Sequence, residues 1–186
     1  MLPPYCDSEI EGKAIGYVVK YGLNCECSSS STTLEIWFKF LLDELGIEYK
    51  PQESFEWSKS KTGRTRYHDF YLPKHKMIIE IYGPHHFREV KHYQRTLEEI
   101  QADDIEREEL ALKNGVRYIH IDFINQCVSQ NQFKQSFLRN DAIVAFINEN
   151  YGIHIQEAEE VFERCFINMK IEMMKKKYND NTIGYL

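Results

Sequence analysis

The sequence predicts an α/β fold, a sheet flanked by helices, and three stretches carry that prediction. Residues 34 to 45 set Leu34, Trp37, Phe38, Leu41, Leu42 and Leu45 at the three-and-four spacing of an amphipathic helix. Residues 68 to 81 hold two short apolar runs parted by Pro73-Lys74-His75-Lys76, the punctuation of a hairpin. Residues 97 to 111 return to helical spacing, and the run VRYIHI that follows Gly115 reads as a further strand.

The first helix is capped by Thr32 or Thr33 and ended by Gly46, and Glu35 lies in its first turn, where the helix dipole favours an acid. In the hairpin, Phe70 and Leu72 face Met77, Ile78, Ile79 and Ile81 across the turn, which brings Asp69 and Glu80 side by side. The segment Met77 to Ile81 is nearly all apolar, as in a central strand covered on both faces, so Glu80 is out of place there by composition. A buried carboxylate needs a partner. A hard divalent cation such as Mg2+ is a natural one, because it takes oxygen ligands, keeps several waters and bridges to phosphate oxygens.

In the second helix, Leu97, Ile100, Asp104, Arg107 and Ala111 share one face, so Asp104 and Arg107 point inward with the apolar residues. An Asp104–Arg107 ion pair is one reading of that placement. Asp103 points about 100° away and is the weaker candidate. Further on, residues 137–152 read as one amphipathic helix that packs through Ile143, Val144, Phe146 and Ile147, and residues 155–178 as another. The last carries Met169, Met173, Met174 and the basic run Lys175-Lys176-Lys177; it reads as a solvated end, with a backbone contact to nucleic acid or a dimer helix as alternatives.

Composition sets limits. A chain of 186 residues, 42% of them hydrophobic, can hold one sizeable core. The expected division is an N-terminal extension over 1–31 that ends in a serine run, a main domain over 32–150, and a helical C-terminal extension over 151–186. No apolar run is long enough to span a bilayer, and the start of the chain lacks the regions of a signal peptide, so a cytoplasmic protein is expected. Cys6, Cys25, Cys27, Cys127 and Cys165 are odd in number and scattered, which suits reduced thiols. Cys-x-Cys is poor spacing for a closed four-ligand site, so no structural zinc is expected.

The net charge of -6 counts against a simple nucleic-acid binder, but its distribution is uneven. Lys59, Lys61, Arg64, Arg66, Lys74 and Lys76 surround the single acid Asp69, whereas acids collect in 98–109 and 157–163. The basic stretch reads either as a solvated loop or as a phosphate contact. Of the histidines, His68, His75, His92, His120 and His154 show no constellation. His86 differs, because G-x-x-H after a strand acid sets an imidazole at the strand's exit, where it can exchange protons near neutral pH. His85 is the adjacent alternative.

Taken in order, TTLEIWFKFLLDELGIEY, DFYLP, IIEIYGPHHF, DIEREELALKNG and VRYIHI resemble the Vsr-like branch of the PD-(D/E)xK nuclease superfamily, and more narrowly the EDxHD homing endonucleases found in phages. The resemblance spans residues 32 to 121. It implies a restriction-endonuclease-like core with a central mixed β-sheet flanked by helices. Glu35, Asp69, His86 and Asp104 match the motif acids and histidine, and Glu80 matches the superfamily's second acid. Asp69 and Glu80 would bind Mg2+, with Mn2+ as a substitute, and Asp104 would face the histidine or the metal. Arg107 would pair with a carboxylate or contact phosphate.

The implied activity is metal-assisted hydrolysis of double-stranded DNA to a 3'-hydroxyl and a 5'-phosphate. Lys59, Lys61, Arg64 and Arg66 are the expected DNA contacts, and a homodimer is possible. A mismatch nickase or restriction-like enzyme is the rival within nucleases, and an inactive DNA-binding protein on the same fold is the rival outside them. Two departures stand out. Tyr82 occupies the place of the lysine in the E-x-K motif, and it also replaces the aspartate that many Vsr-like relatives carry before the glycine.

Overall fold

The computed structural model describes residues 33–90, 95–123, 129–168 and 171. The expectations for the 1–31 extension, for Cys127 and His92, and for Met169, Met173, Met174 and the lysine run fall outside the described residues.

The chain is mixed α/β. Helix α1 (Thr33–Glu44) is followed by strand β1 (Lys50–Glu53), then the hairpin of β2 (His68–Leu72) and β3 (Met77–Tyr82). Helix α2 (Leu97–Lys113) leads to β4 (Arg117–Asp122), and α3 (Gln130–Leu138) and α4 (Asp141–Tyr151) follow. The sheet order is β1-β2-β3-β4. The first two pairings are antiparallel, whereas β3 and β4 run parallel with α2 as their crossover.

Strand β3 is buried along its whole length, as a strand with helices on both faces must be. Its alternation serves two cores. Met77, Ile79 and Ile81 join Phe70 and Leu72 against Phe38, Leu41 and Leu42 of α1, with Phe133 and Phe137 of α3 and Phe146 and Ile147 of α4 closing the layer. Ile78 belongs to the opposite face with Ala111, Val116 and Tyr118, where Phe55, Trp57 and Tyr71 cover it. A fully buried side chain such as Phe38 contributes about 1.5–3 kcal/mol of transfer free energy. The site described below is therefore carried on a well-packed sheet.

Two boundaries differ from the sequence expectation. Residues 137–152 are not one helix: the chain breaks at Arg139 and Asn140, and the Asn140 side chain accepts the Ile143 N–H to start α4 afresh. Helix α3 begins earlier, at a capping box of Ser129 and Gln132. The core also does not stop at residue 150. Ile155, Phe162 and Cys165 are buried in the same cluster as α1, so residues 151–165 pack as part of the main domain. Cys165 is a buried free thiol whose titration burial pushes up to about 12.

Candidate functional site

The site is built where two paired strands part. The β2–β3 ladder runs from Leu72 opposite Met77 to Phe70 opposite Ile79. One step further the strands diverge, and the Asp69 carboxylate enters the gap: its Oδ2 accepts the Ile81 N–H at 2.9 Å, in the place of a backbone carbonyl. The Asp69 N–H donates to Glu80 Oε2 at 3.4 Å, so the two acids meet as the hairpin register requires. On the other side of β2, Gln52 carries a positive φ of 50° although it is not glycine, a conformation that costs about 1 kcal/mol. Its amide donates to Asp69 Oδ1 at 3.2 Å and to Glu35 Oε2 at 3.4 Å. Glu35, Asp69 and Glu80 thus form one connected group, and Glu35, Lys39, Gln52 and Asp69 line a cleft beside α1.

Electrostatics at this group are unfavourable in a specific way. Burial pushes the Asp69 carboxyl well above the ordinary carboxylate range, and the neighbouring Glu80 charge pushes it further. Glu80 is only 5% exposed; burial raises it too, against the opposing effect of Arg107. Glu80 Oε1 lies 2.6 Å from His68 Nδ1 and 3.7 Å from Arg107 Nη1. His68 is fully buried among the rings of Phe55, Trp57 and Tyr118. Burial, helped by the Arg107 charge, lowers its pKa to about 4, so the neutral ring donates Nδ1–H to Glu80.

Helix α2 supplies the rest. Its N-terminus is fixed by a capping box of Thr96 and Glu99, and Ile100 and Ala111 anchor its inner face. Between them Asp104 and Arg107 turn inward, but they do not pair with each other in the manner of the simplest sequence reading. Arg107 Nε donates to Asp103 Oδ2 at 3.2 Å and Nη1 to the Tyr67 carbonyl at 3.0 Å, beside Glu80. Asp104 Oδ2 instead lies 2.6 Å from His86 Nδ1. The Pro84–His86 turn after β3 presents that imidazole, held by the His86 N–H to the Gly83 carbonyl and by the Gln101 amide on the His86 carbonyl. The pairing with Asp104 falls on His86. His85 stacks obliquely on His86 at 4.1 Å, and burial lowers its pKa to about 4.

The basic stretch is placed differently from its sequence expectation. Arg66 is 5% exposed and its guanidinium bonds both Asp103 and Glu106 of α2 at 2.5 Å, so it ties the loop to the helix and is turned away from solvent. Lys59 pairs with Glu56 at 2.7 Å, and Lys61, well exposed, reaches Glu106 at 3.8 Å. Arg64 is exposed. Of the bases of 59–66 and the acids of 98–109, which look like separate patches in the sequence, Arg66 and Lys61 meet Asp103 and Glu106 in space.

Several neighbours escape a reading of the sequence. Gln52 gives no signal, because its role depends on a left-handed backbone that only the folded strand reveals. His68 shows no constellation because strict alternation puts it opposite Asp69, a rule that fails where the ladder parts. His120 and Asp122 do carry a signal: residues two apart on one strand share a face, and His120 Nδ1 lies 2.6 Å from Asp122 Oδ1. Tyr82, in the sequence only a departure from the lysine motif, stacks with His86 at 4.1 Å and with His120 at 4.7 Å.

Among the described residues, no group of three or more His, Cys, Asp and Glu side chains is arranged to hold a metal ion. The donor set that does suit a cation is smaller. Asp69, half-buried, and Glu80, buried, are neighbouring carboxylates each disfavoured as an anion by desolvation, and a hard divalent ion satisfied otherwise by water needs no more protein ligands than that. Among the described residues no helix is long and apolar enough to cross a membrane. No family model matches the chain, and neither a curated protein nor a solved structure matches it.

Proposed function

We propose that the chain is a Mg2+-dependent DNA endonuclease with a restriction-endonuclease-like core, of the kind found among phage homing endonucleases. One observation carries the reading: a carboxylate pair, half-buried Asp69 and buried Glu80, lies between parting strands, and a carboxylate-oriented imidazole, His86 on Asp104, lies alongside. Such a pair is costly as structure and useful as chemistry. Carboxylates that burial disfavours as anions in the free protein are favoured once a cation joins them.

Asp69 and Glu80 would hold Mg2+, or Mn2+ in its place, and the bound ion would stabilise negative charge developing on the phosphate. The chain's own residues do the remaining work. Gln52 fixes the Asp69 carboxylate and ties it to Glu35. The neutral His68 and Arg107 keep Glu80 turned toward Asp69. Asp104 accepts the Nδ1–H of His86, which leaves Nε2 as the basic nitrogen that takes a proton from the attacking water. Lys61 and Arg64, two of the exposed members of the basic stretch, contact the DNA backbone.

The test is nicking of plasmid DNA by purified protein with and without Mg2+, beside Asp69→Asn and His86→Ala. Wild type is expected to nick only with the metal and each variant to lose at least about a hundredfold. Equal nicking by wild type and variants would mean the activity is a contaminant. One feature favours a second reading, a non-catalytic DNA-binding protein: Glu80 is already held by His68 and Arg107. Isothermal titration with Mn2+ separates the two, since a scaffold of that kind binds no ion at Asp69.

A further inference from the structure

We infer that His120, oriented by Asp122, is a second catalytic imidazole of this site, the one that protonates the leaving 3'-oxygen. The inference rests on the nuclease reading above and goes beyond it. Strands β3 and β4 run parallel, and their carboxyl ends, where Tyr82 and Asp122 are in register, open together. Crevices at the carboxyl ends of parallel strands are where α/β sheets bind ligands. At that end Tyr82 is stacked by two rings, His86 at 4.1 Å and 3° and His120 at 4.7 Å and 10°. Two rings so nearly parallel to Tyr82, at those distances, cannot share one face, so they flank it.

Each imidazole is held in the same way. His86 gives Nδ1 to Asp104 and His120 gives Nδ1 to Asp122, both at 2.6 Å, so in each case Nε2 is the nitrogen left to face a substrate. Such duplication is hard to account for as structure. The His120 and Asp122 side chains are 42% and 39% exposed, so neither needs the other to avoid burial. Tyr82 itself is buried and its hydroxyl meets that of Tyr118 at 3.3 Å, which leaves it as a rigid spacer whose phenol is directed away from the chemistry. This gives the residue standing at the lysine position a role of its own.

In-line displacement at phosphorus sets the requirement that the pair meets. The attacking and leaving oxygens lie on opposite sides of the phosphorus, so one imidazole cannot serve both at once. The Tyr82 ring holds the two imidazoles two stacking distances apart, so a phosphoryl group at the edge of that ring would meet one of them at each end through a hydrogen bond of about 2.8 Å. His86 keeps the water side given to it above, and His120, held by its own carboxylate, takes the leaving side. The step balances: water oxygen bonds to phosphorus, its proton passes to His86 Nε2, the bond from phosphorus to the 3'-oxygen breaks, and that oxygen takes the proton of His120 Nε2. Exchange with solvent then restores both rings.

The experiment compares two duplexes built on a nick site mapped in plasmid DNA, one natural and one with sulfur in place of the bridging 3'-oxygen, both assayed with Mn2+. A thiolate leaves without a proton. His120→Ala is expected to slow the natural duplex by about a hundredfold and to cleave the sulfur duplex within a few-fold of wild type, whereas His86→Ala is slow on both. Asp122→Asn should repeat the His120 pattern more weakly, and proton NMR of the metal-free protein should show a far-downfield His120 Nδ1–H that this variant loses. Normal cleavage of the natural duplex by His120→Ala, equal slowing on both duplexes, or rescue of His86→Ala in its stead would each overturn the assignment. Failure of the wild type to nick any plasmid is a different result, and it removes the nuclease reading itself.

Discussion

Replacing Asp69 by asparagine should stabilise the metal-free protein while abolishing its activity. The native carboxylate is an anion that burial and the adjacent Glu80 both disfavour, and its pKa is raised from the ordinary 3.8 to about 7. A tenfold change in proton affinity corresponds to about 1.4 kcal/mol, so an upward shift of this kind costs the fold on the order of a few kcal/mol once the group is ionised. Part of that cost is shared with Glu80, and asparagine must still accept the Ile81 N–H while meeting the Gln52 amide, which has to turn over. A net gain of about 2 kcal/mol remains, equivalent to a rise of about 4–8 °C in Tm for a chain of this size.

The pH dependence has a definite sign. A carboxyl with a raised folded-state pKa imposes no penalty below its unfolded value, and the penalty grows as pH rises from 4 toward 7. The difference between wild type and Asp69→Asn should therefore be near zero at pH 4 and complete at pH 8. Thermal denaturation with a chelator at both pH values measures it, and added Mn2+ should raise the wild-type Tm alone. If the variant proves less stable than wild type at pH 8 by about 1 kcal/mol or more, the carboxylate is a structural acceptor and the cost assigned to its charge does not exist.

Arg66→Met should destabilise the fold by about 3 kcal/mol, because it strips a buried guanidinium from Asp103 and Glu106, yet leave the salt dependence of DNA binding unchanged. Urea denaturation and binding titrations against NaCl check the two halves. Removing Lys61 and Arg64 should do the reverse: little change in stability, and a salt slope smaller by about one per lost phosphate contact. Gln52→Gly should leave stability within about 1 kcal/mol, since glycine accepts the positive φ, while nicking falls about tenfold from the loss of the amide that orients Asp69. Gln52→Ala, which keeps the strain and loses the amide, should be equally slow and about 1 kcal/mol less stable than the glycine variant.

How much of this is legible in the sequence depends on whether the signal is periodic. The helix over Leu34 to Leu45, the hairpin and the inward face of α2 repeat at fixed spacings, and the structure has them where the spacings put them. Helix α3 is hidden because its buried face consists of only Phe133 and Phe137 among polar residues, and Asn140 reads as easily inside a helix as at its cap. In the site, Asp69 and Glu80 can be paired because the hairpin register is arithmetic. Gln52, His68 and Arg66 cannot be placed, for their roles depend on where a ladder ends, on a backbone of unusual handedness and on a charge contact across 37 residues.

Two of these unreadable features, Gln52 and His68, share one location, and that follows from the energetics. A regular ladder beyond Phe70 would bury the Asp69 side chain beside Glu80 with its backbone groups satisfied by β3, and the carboxylate would have no opening. Parting the strands gives up a backbone pair and sets the Asp69 carboxylate in its place on Ile81. It also admits the Gln52 amide from the other side at the expense of a strained φ. The strain and the buried charge together cost a few kcal/mol, which a core holding fully buried Phe38, Leu72, Met77, Ile78 and Ile79 can bear. Local rules of alternation and pairing therefore fail at the position where the fold accepts a cost, and Gln52 and His68, which pattern does not place, lie against the two carboxylates there.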